Sequence, residues 1–402
     1  MILSKFILQN NKQLTKLLIG AVYISLLTRL LWFVDQNSID VVFWDQWDFL
    51  RPLFNHSSNW WEFFSWQHGP HRQGLGGIIQ AIIYPLSNWN VRVEVFMSVG
   101  FTVISCWLAI LIQKQLWGSF QWTDAIIPFI FFSLLQFETF IGTPNLAHGT
   151  IPVFLVTLSG YLLIIKNHYI RIAGLSFLVL LTSYTGFAIF SSIVILSLLL
   201  LFLIKSENFK IRWINIGAFV FALLAFMSFF YDYKLSTAVS CYQFPHDHYM
   251  EYAEFAVIQF GRAIGVFAGM ENFQILIIKG IISSLLLGLL ILFCCFFAFK
   301  LIRRFDDMSK LIFYFSSFTI LFIAFTAIGR VCLGVTAANA SRYIPYSLFG
   351  ILAIYMGIKQ IFIEFPIPKW IKYLVMGMFL TILVVKERTI ANDQNTIKWY
   401  RD

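Results

Sequence analysis

The sequence predicts an all-α protein that crosses a membrane many times. Of its 402 residues, 59% are hydrophobic and only 12% are charged, whereas soluble domains carry about 25% charged residues. Apolar stretches of about 20 residues recur along the chain, and a helix of that length spans a bilayer while satisfying its own backbone groups. The surplus of apolar side chains must face lipid, so we expect one polytopic transmembrane domain over residues 1–402 with membrane lipid as a partner.

The charge pattern and the cysteines exclude other classes. The formal net charge is +9, but Lys and Arg are spread along the chain and many lie in short loops, as the positive-inside rule expects. We therefore expect no nucleic-acid partner. Neither a disulfide framework nor a metal-ligand spacing is expected, because three of the five cysteines fall within apolar stretches. The cysteines are Cys106, Cys241, Cys294, Cys295 and Cys332.

Eleven stretches are predicted to span. The first covers about residues 14–34, and Lys5, Lys12 and Lys16 precede it, which places the N-terminus in the cytoplasm. The later spans are predicted at 92–116, 124–139, 146–165, 171–184, 186–204, 211–230, 275–300, 311–328, 343–362 and 370–386.

The chain between the first two spans, residues 35–91, is predicted to be a long outer loop. Its stretch 75–86 is apolar but short, so we interpret it as an interfacial or re-entrant helix. A full crossing there would reverse the orientation of every later span. The loops carrying Lys166, Lys205 and Arg303 would then no longer lie on the cytoplasmic side with the N-terminus. Residues 231–274 form a second large outer loop, and the tail after Lys386 also falls outside, which its own basic residues oppose.

Two aspartates in the first outer loop suit acid–base chemistry. Asp45 and Asp48 are three residues apart, so on a helix they share a face. Partial dehydration beside Trp44 and Trp47 would raise the proton affinity of a carboxylate and suit it to general-base work. The competing interpretation is a solvated loop with aromatic interfacial anchors.

The run His68-Gly69-Pro70-His71-Arg72 follows in the same loop. The spacing of the two histidines permits a metal, but Pro70 breaks a helix and no third ligand is near, so no metal or other cofactor is indicated. A phosphate-binding or sugar-binding edge built from His71 and Arg72 fits better, because guanidinium and imidazolium match phosphate oxygens. An ordinary polar loop remains the alternative.

Further polar groups stand at predicted outer ends of spans. Arg330 and Arg342 flank a short apolar loop at membrane depth, where a charge usually has a partner. A lipid-linked phosphate would suit them, and snorkelling to headgroups is the alternative. Glu138 is either a second acid or part of a helix-terminal patch. His246 either lines a substrate cleft or lies in a solvated loop, and the loop is favoured.

The order of these features resembles that of GT-C type membrane glycosyltransferases. One span is followed by an acidic and aromatic outer loop with an interfacial helix, then by a bundle of spans and a second large outer loop. The resemblance implies a GT-C-like bundle of about 11 helices in a bacterial inner membrane, with its site on the outer side. It also implies a polyprenyl-phosphate sugar donor and a catalytic acidic residue in the first outer loop, where Asp45 and Asp48 stand.

The chain also resembles bacterial multispanning proteins associated with surface polysaccharides such as O-antigen. Those proteins carry a His-x-x-His-Arg element, a Gln-Trp-Glu-like element and a final Gly-Arg…Gly…Ser-Arg-Tyr element. The middle Trp is Phe137 here. The matching residues are His68, His71 and Arg72, then Gln136, Phe137 and Glu138, then Gly329, Arg330, Gly334, Ser341, Arg342 and Tyr343.

These resemblances imply a mechanism. Asp45 or Asp48 would take the proton of an acceptor hydroxyl on a glycan or glycolipid. The donor phosphate would be held by Arg72, Arg330, Arg342 and Tyr343. The substrate would be contacted by Trp44, Trp47, His68, His71, Glu138 and His246. A lipid-linked oligosaccharide polymerase or ligase is the nearest rival, ahead of a transporter, which would need mid-span polar residues, and of an acyltransferase, which would use a histidine.

Overall fold

The computed structural model of the protein describes residues 2–142, 146–234, 239–266 and 273–402, with the backbone alone for 2–11, 142 and 273–276. The described part is almost entirely helical. Its α-helices are α1 (Ile2–Asn37), α2 (Gln46–Phe49), α3 (Arg51–Phe54), α4 (Trp60–Ser65), α5 (Gly74–Leu86), α6 (Val91–Trp117), α7 (Ile126–Phe131), α8 (Thr150–Leu163), α9 (His168–Tyr184), α10 (Ile189–Ile204), α11 (Phe209–Ser228), α12 (Met250–Arg262), α13 (Phe273–Arg303), α14 (Asp307–Arg330), α15 (Ile344–Glu364), α16 (Lys369–Lys386) and α17 (Gln394–Arg401).

Short elements join these helices. An antiparallel hairpin pairs β1 (Gln67–His68) with β2 (His71–Arg72), with His68 opposite His71. A π-helical turn covers Glu138–Gly142. The 3₁₀ turns are Trp122–Ala125, Leu134–Gln136, Gly186–Ala188, Val331–Leu333, Val335–Asn339, Ser341–Tyr343 and Glu387–Asp393.

The structure confirms an all-α membrane protein. Within the described residues, seven helical stretches are long and apolar enough to cross a bilayer. Each coincides with a stretch that the sequence predicts to span. They are Lys12–Asn37, Val91–Trp117, Gly186–Ile204, Phe209–Ser228, Ile277–Arg303, Asp307–Leu333 and Ser341–Glu364.

The remaining predicted spans are shorter or broken. Helix α8 has 14 residues and α9 has 17. The span predicted at 124–139 is not one helix, because the chain turns out of α7 at Ser133. Glu387 from the C-terminal tail accepts hydrogen bonds there from Ser133 Oγ (2.5 Å) and from the Leu134 backbone N–H (3.1 Å). The tail thereby satisfies the Leu134 backbone N–H, which a continuous helix would have paired internally.

The basic turns predicted to share one side are gathered at one end of the bundle. Three helices begin there, and each is capped by the side chain of the residue before it: Asn167, Asn208 and Asp306. Each of these side chains accepts a hydrogen bond from a first-turn backbone N–H, which has no partner within the helix itself. The Lys205 ammonium donates to the Ile302 carbonyl across two of these turns (2.5 Å). We call this the basic end.

The opposite end, which we call the site end, holds residues 35–72, the described part of residues 231–274, the turns between α14 and α15, and the C-terminal tail. For the predicted outer loops over 35–91 and 231–274 we keep the names first and second outer segment. Helix α5 starts there, where Gly74 has a φ of +52° and where a Cβ would lie 2.2 Å from Thr185 Oγ1. Only glycine fits this close approach. The sequence did not predict helices α12 and α17, which also lie at this end.

The expectation about disulfides is wrong at one pair. Cys241, in the second outer segment, is bonded to Cys332, in the turn after α14. The two residues are 91 positions apart in the chain, and neither belongs to the apolar stretches on which the expectation rested. The other three cysteines are free thiols.

Candidate active site

A polar cavity of about 170 Å³ opens at the site end. It collects residues from seven separate parts of the chain, and half of the lining residues are among the site residues that the sequence predicts. Its lining comprises Asp45, Phe49, His68, Gly69, Pro70, His71, Glu138, Thr139, His148, Gly149, Phe187, Arg330, Arg342 and Tyr343.

The β-hairpin of the first outer segment supplies both predicted histidines. Its turn uses Gly69 at a φ of +54°, the left-handed region that a two-residue hairpin turn requires. Gln67 exchanges two hydrogen bonds with the backbone of Lys234 (2.6 and 3.1 Å), and the Tyr233 hydroxyl donates to the Pro70 carbonyl (3.1 Å). The hairpin is therefore fixed against the start of the second outer segment.

The two predicted aspartates have different surroundings. Asp45 lines the cavity, and its side chain is 57% exposed, so the dehydration expected from neighbouring indoles is not present. Asp48 does not line the cavity. Its Oδ2 lies 2.6 Å from Nδ1 of His68 and its Oδ1 lies 3.6 Å from the Arg51 guanidinium. Of the two, only Asp45 is available to a molecule in the cavity.

Two arginines of the turns around α14 and α15 line the same cavity. Arg330 is half-buried, and within the described part of the chain no carboxylate or carbonyl is bonded to its guanidinium. The backbone N–H of Arg342 donates to Glu138 (2.9 Å), whereas its guanidinium lies over the ring of Tyr343. A half-buried guanidinium with no acceptor on the protein is suited to an anionic ligand.

Two histidines beside Arg330 are held neutral. Burial, the Arg330 charge and His68 lower the pKa of His71 from 6.5 to about 3. Burial also lowers the pKa of His148 well below its usual value. The rings of His71 and His148 are 5.1 Å apart, and His71 also packs on Phe187 at 4.2 Å. His71 therefore contributes a neutral imidazole to the cavity and not the imidazolium expected from the sequence.

Glu138 stands on the cavity wall in the π-helical turn, a kind of turn that is frequent at functional sites. Its Oε2 accepts the Arg342 backbone N–H, and its Oε1 accepts the hydroxyl of Tyr400 at 3.1 Å. The backbone N–H of Glu138 donates to Ser341 Oγ (3.1 Å). Glu138 thus joins the Ser341–Tyr343 turn to the C-terminal helix α17, which sequence reasoning did not connect to the site.

Arg72 corrects one prediction. Its guanidinium does not face the cavity but donates to the backbone carbonyls of Ser65 (2.5 Å), Phe229 (3.1 Å) and Tyr231 (2.6 Å). The rings of Tyr184 and Phe229 lie on it at 5.4 and 5.5 Å. Arg72 is only 5% exposed, so it ties the two outer segments together and is not available to a phosphate.

Three other predicted contact residues lie outside the cavity. Trp44 packs on Trp399 of the tail with ring centroids 5.6 Å apart, and Trp47 packs on Phe54 at 5.5 Å. His246 faces Glu251 at 3.8 Å within the second outer segment. Neither tryptophan lines the polar cavity, and His246 contacts residues of its own segment.

A larger apolar cavity of about 480 Å³ adjoins the polar one. The two share Pro70, His71, Phe187, Arg330 and Tyr343, so Arg330 and His71 stand where polar lining gives way to apolar lining. The apolar part is lined by Ile189, Phe190, Ile193, Phe226, Phe229, Phe230, Tyr233, Val239, Tyr242, Phe325, Thr326, Ile328 and Gly329.

His148 is a titratable residue of the cavity lining that the sequence analysis did not single out. The signal available was its position just before an apolar helix, which does not distinguish a site residue from a capping loop. Within the described residues, no group of three His, Cys, Asp or Glu side chains is arranged to hold a metal ion. No protein-family model matches the sequence, and no curated protein matches it.

Proposed function

We propose that this protein transfers a sugar from a polyprenyl-phosphate donor to a glycan or glycolipid acceptor at the outer face of a bacterial inner membrane. One observation carries the proposal: Arg330, whose guanidinium has no hydrogen-bond acceptor among the described residues, stands at the junction between a polar cavity with a carboxylate and an apolar cavity lined mainly by Phe and Ile. A lipid-linked sugar phosphate has the same order of parts, with an anion between an apolar chain and a polar ring.

The apolar cavity supports a lipid tail as its occupant. It lies between α10, α11 and α14, three of the helices that are long and apolar enough to cross a membrane. A prenyl chain that enters this cavity from the bilayer exchanges one apolar surrounding for another, so the apolar lining admits it without exposing apolar surface to water. The polar cavity, at about 170 Å³, is smaller than the roughly 300–1,000 Å³ typical of sites for drug-sized ligands. This favours a single sugar over the oligosaccharide of a polymerase or ligase.

The lining of the polar cavity supports the following reaction. The acceptor hydroxyl attacks the anomeric carbon, and the bond from that carbon to the phosphate oxygen breaks. Arg330, with Arg342, stabilises the charge that grows on the leaving phosphate. Asp45 takes the hydroxyl proton. A single displacement of this kind inverts the anomeric centre.

Two observations support the proposed orientation. The basic end carries Lys166, Lys205, Arg303 and Lys310, as a cytoplasmic end does. The disulfide between Cys241 and Cys332 lies at the site end, and disulfides persist in oxidising compartments outside the cytoplasm. Eleven crossings, with α5 and α12 remaining at the outer interface, agree with this arrangement.

The test uses membranes from cells that express the full chain, supplied with a panel of radiolabelled polyprenyl-phosphate hexoses. We expect label to move from one donor into a surface glycan or glycolipid. Asp45→Asn and Arg330→Ala should each lower that transfer by about 10²-fold or more. Asp247→Asn is the matched control, because Asp247 is an outer-segment carboxylate bonded to Gln243 and remote from the cavity lining.

Full transfer by Asp45→Asn would remove Asp45 as the base. Transfer of a complete oligosaccharide, with no use of any monosaccharide donor, would instead favour the polymerase or ligase. Variant protein levels in the membrane are measured alongside, so that a loss of transfer is not confused with a loss of protein.

A further inference from the structure

The imidazole of His68 is fixed in one orientation. Its Nδ1 lies 2.6 Å from Asp48 Oδ2, and the ring meets Phe49 edge-on, with centroids 4.6 Å apart and planes at 82°. Because a carboxylate only accepts hydrogen bonds, Asp48 selects the tautomer with its proton on Nδ1. The other nitrogen, Nε2, then carries a lone pair.

That lone pair lies on the side of the ring that faces Asp45. Nε2 of His68 lies 3.9 Å from Oδ2 of Asp45, and both residues line the polar cavity, whereas Asp48 does not. Two acceptors therefore face each other with no proton between them. A proton that arrives at this position is attracted by both, and the imidazolium it forms lies between two carboxylates.

We propose that the Asp48–His68 pair receives the proton that Asp45 removes from the acceptor hydroxyl. This inference rests on the proposed sugar transfer. As the new glycosidic bond forms and the bond to the phosphate oxygen breaks, its electron pair leaves with polyprenyl phosphate. The hydroxyl proton moves to Asp45 and then to Nε2 of His68, and it passes to water after the products leave. His68 is thus a positioning residue that keeps Asp45 ionised for the next turnover.

The surroundings decide how strongly the imidazolium is stabilised. Asp45 and Asp48 favour it, and Arg51, 3.6 Å from Asp48, offsets part of the second charge. The neighbouring histidines are neutral and add little. The charged or titratable groups that face this imidazole are Asp45, Asp48, Arg51, His71 and His148.

The test compares His68→Ala with the wild-type protein in the membrane transfer assay. General acid–base groups contribute about 10²- to 10⁴-fold, so we expect kcat to fall within that range while KM for the donor stays within about threefold. Added imidazole should restore a concentration-dependent part of the lost kcat. His56→Ala is the matched control, because His56 is an exposed histidine of the same outer segment, and imidazole should leave its transfer unchanged.

Asp48→Asn gives a second readout that does not depend on deleting the ring. Nitrogen NMR of the ¹⁵N-histidine-labelled full chain in nanodiscs should show His68 protonated on Nδ1 in the wild type. Asp48→Asn should lose that preference.

The outcomes separate the two proposals. A wild-type protein that transfers no sugar from any polyprenyl-phosphate hexose overturns the proposed function. A wild-type protein that transfers sugar, combined with a fully active His68→Ala, overturns the His68 inference alone. The same follows if His68→Ala is inactive but imidazole restores nothing, or if the NMR spectrum shows the proton on Nε2.

Discussion

Arg72 is the most sharply testable contact between the two outer segments. Replacing it with Ala removes three hydrogen bonds from a charged donor to the carbonyls of Ser65, Phe229 and Tyr231. Hydrogen bonds to charged groups are each worth about 1.5–3 kcal/mol net. The simple sum is about 4.5–9 kcal/mol, but neighbouring interactions do not add fully and the freed carbonyls regain water. We therefore expect Arg72→Ala to cost about 3–5 kcal/mol against local opening.

Trypsin cleavage after Lys234 reports that opening. Lys234 is exposed, and its backbone is held by Gln67, three residues after Tyr231. Cleavage tracks the population of the open form when opening is fast, so about 3–5 kcal/mol corresponds to cleavage that is faster by about two to three and a half decades, at 1.4 kcal/mol per decade. The measurement adds trypsin to right-side-out and to inverted membrane vesicles, so that either orientation of the site end is covered, and follows the two fragments.

Two further variants calibrate the result. Arg72→Lys keeps the charge but lacks the planar fork that reaches three carbonyls, so its cleavage rate should lie between those of the wild type and Arg72→Ala. Arg401→Ala removes an exposed arginine and should leave the rate unchanged. If Arg72→Ala is cleaved no faster than Arg401→Ala, then Arg72 does not hold the outer segments together.

Other expectations concern stability. Lys359→Ala leaves the fully buried carboxylate of Asp124 without its 2.9 Å partner, and should lower the free energy of unfolding by about 3–5 kcal/mol; an unchanged melting temperature in detergent would contradict this. Cys332→Ser removes the bond to Cys241 and should cost about 2–4 kcal/mol, seen as a lower melting temperature that reducing agent does not lower further. Burial lowers the pKa of His71 to about 3. Between pH 6.5 and about 3, His71 therefore binds a proton in the unfolded chain but stays neutral in the folded protein. Stability should therefore fall as pH drops from 6.5 toward 3, and it should fall less in His71→Gln.

Several site residues could be predicted because their chemistry conflicts with their surroundings. Asp45, Arg330 and Arg342 are charges beside apolar stretches, and such charges indicate a ligand or a partner wherever the chain folds. Sequence reasoning placed all three at one membrane face, and the structure places them around one cavity.

The sequence could not tell a ligand-binding charge from a structural one. Arg72 and Arg330 both stand shortly after a glycine in a predicted outer segment. The guanidinium of Arg72, however, donates to the carbonyls of two residues that lie more than 150 positions away in the chain. The same limit applies to Asp48, which is occupied by His68. Whether a charged side chain remains available to a ligand depends on hydrogen-bond partners that are distant in the sequence.

Composition and apolar periodicity by themselves determined the membrane class, the helical architecture and the positions of the long spans, because each span must satisfy its backbone within its own sequence. Only the tertiary structure decided how the C-terminal tail contributes. Glu387 accepts a hydrogen bond from the Leu134 backbone N–H at the break after α7. The Tyr400 hydroxyl donates to Glu138, which is 262 positions away in the chain. Such contacts depend on how helices pack against one another, and a polar residue near the end of a chain carries no sign of which distant backbone group it will meet.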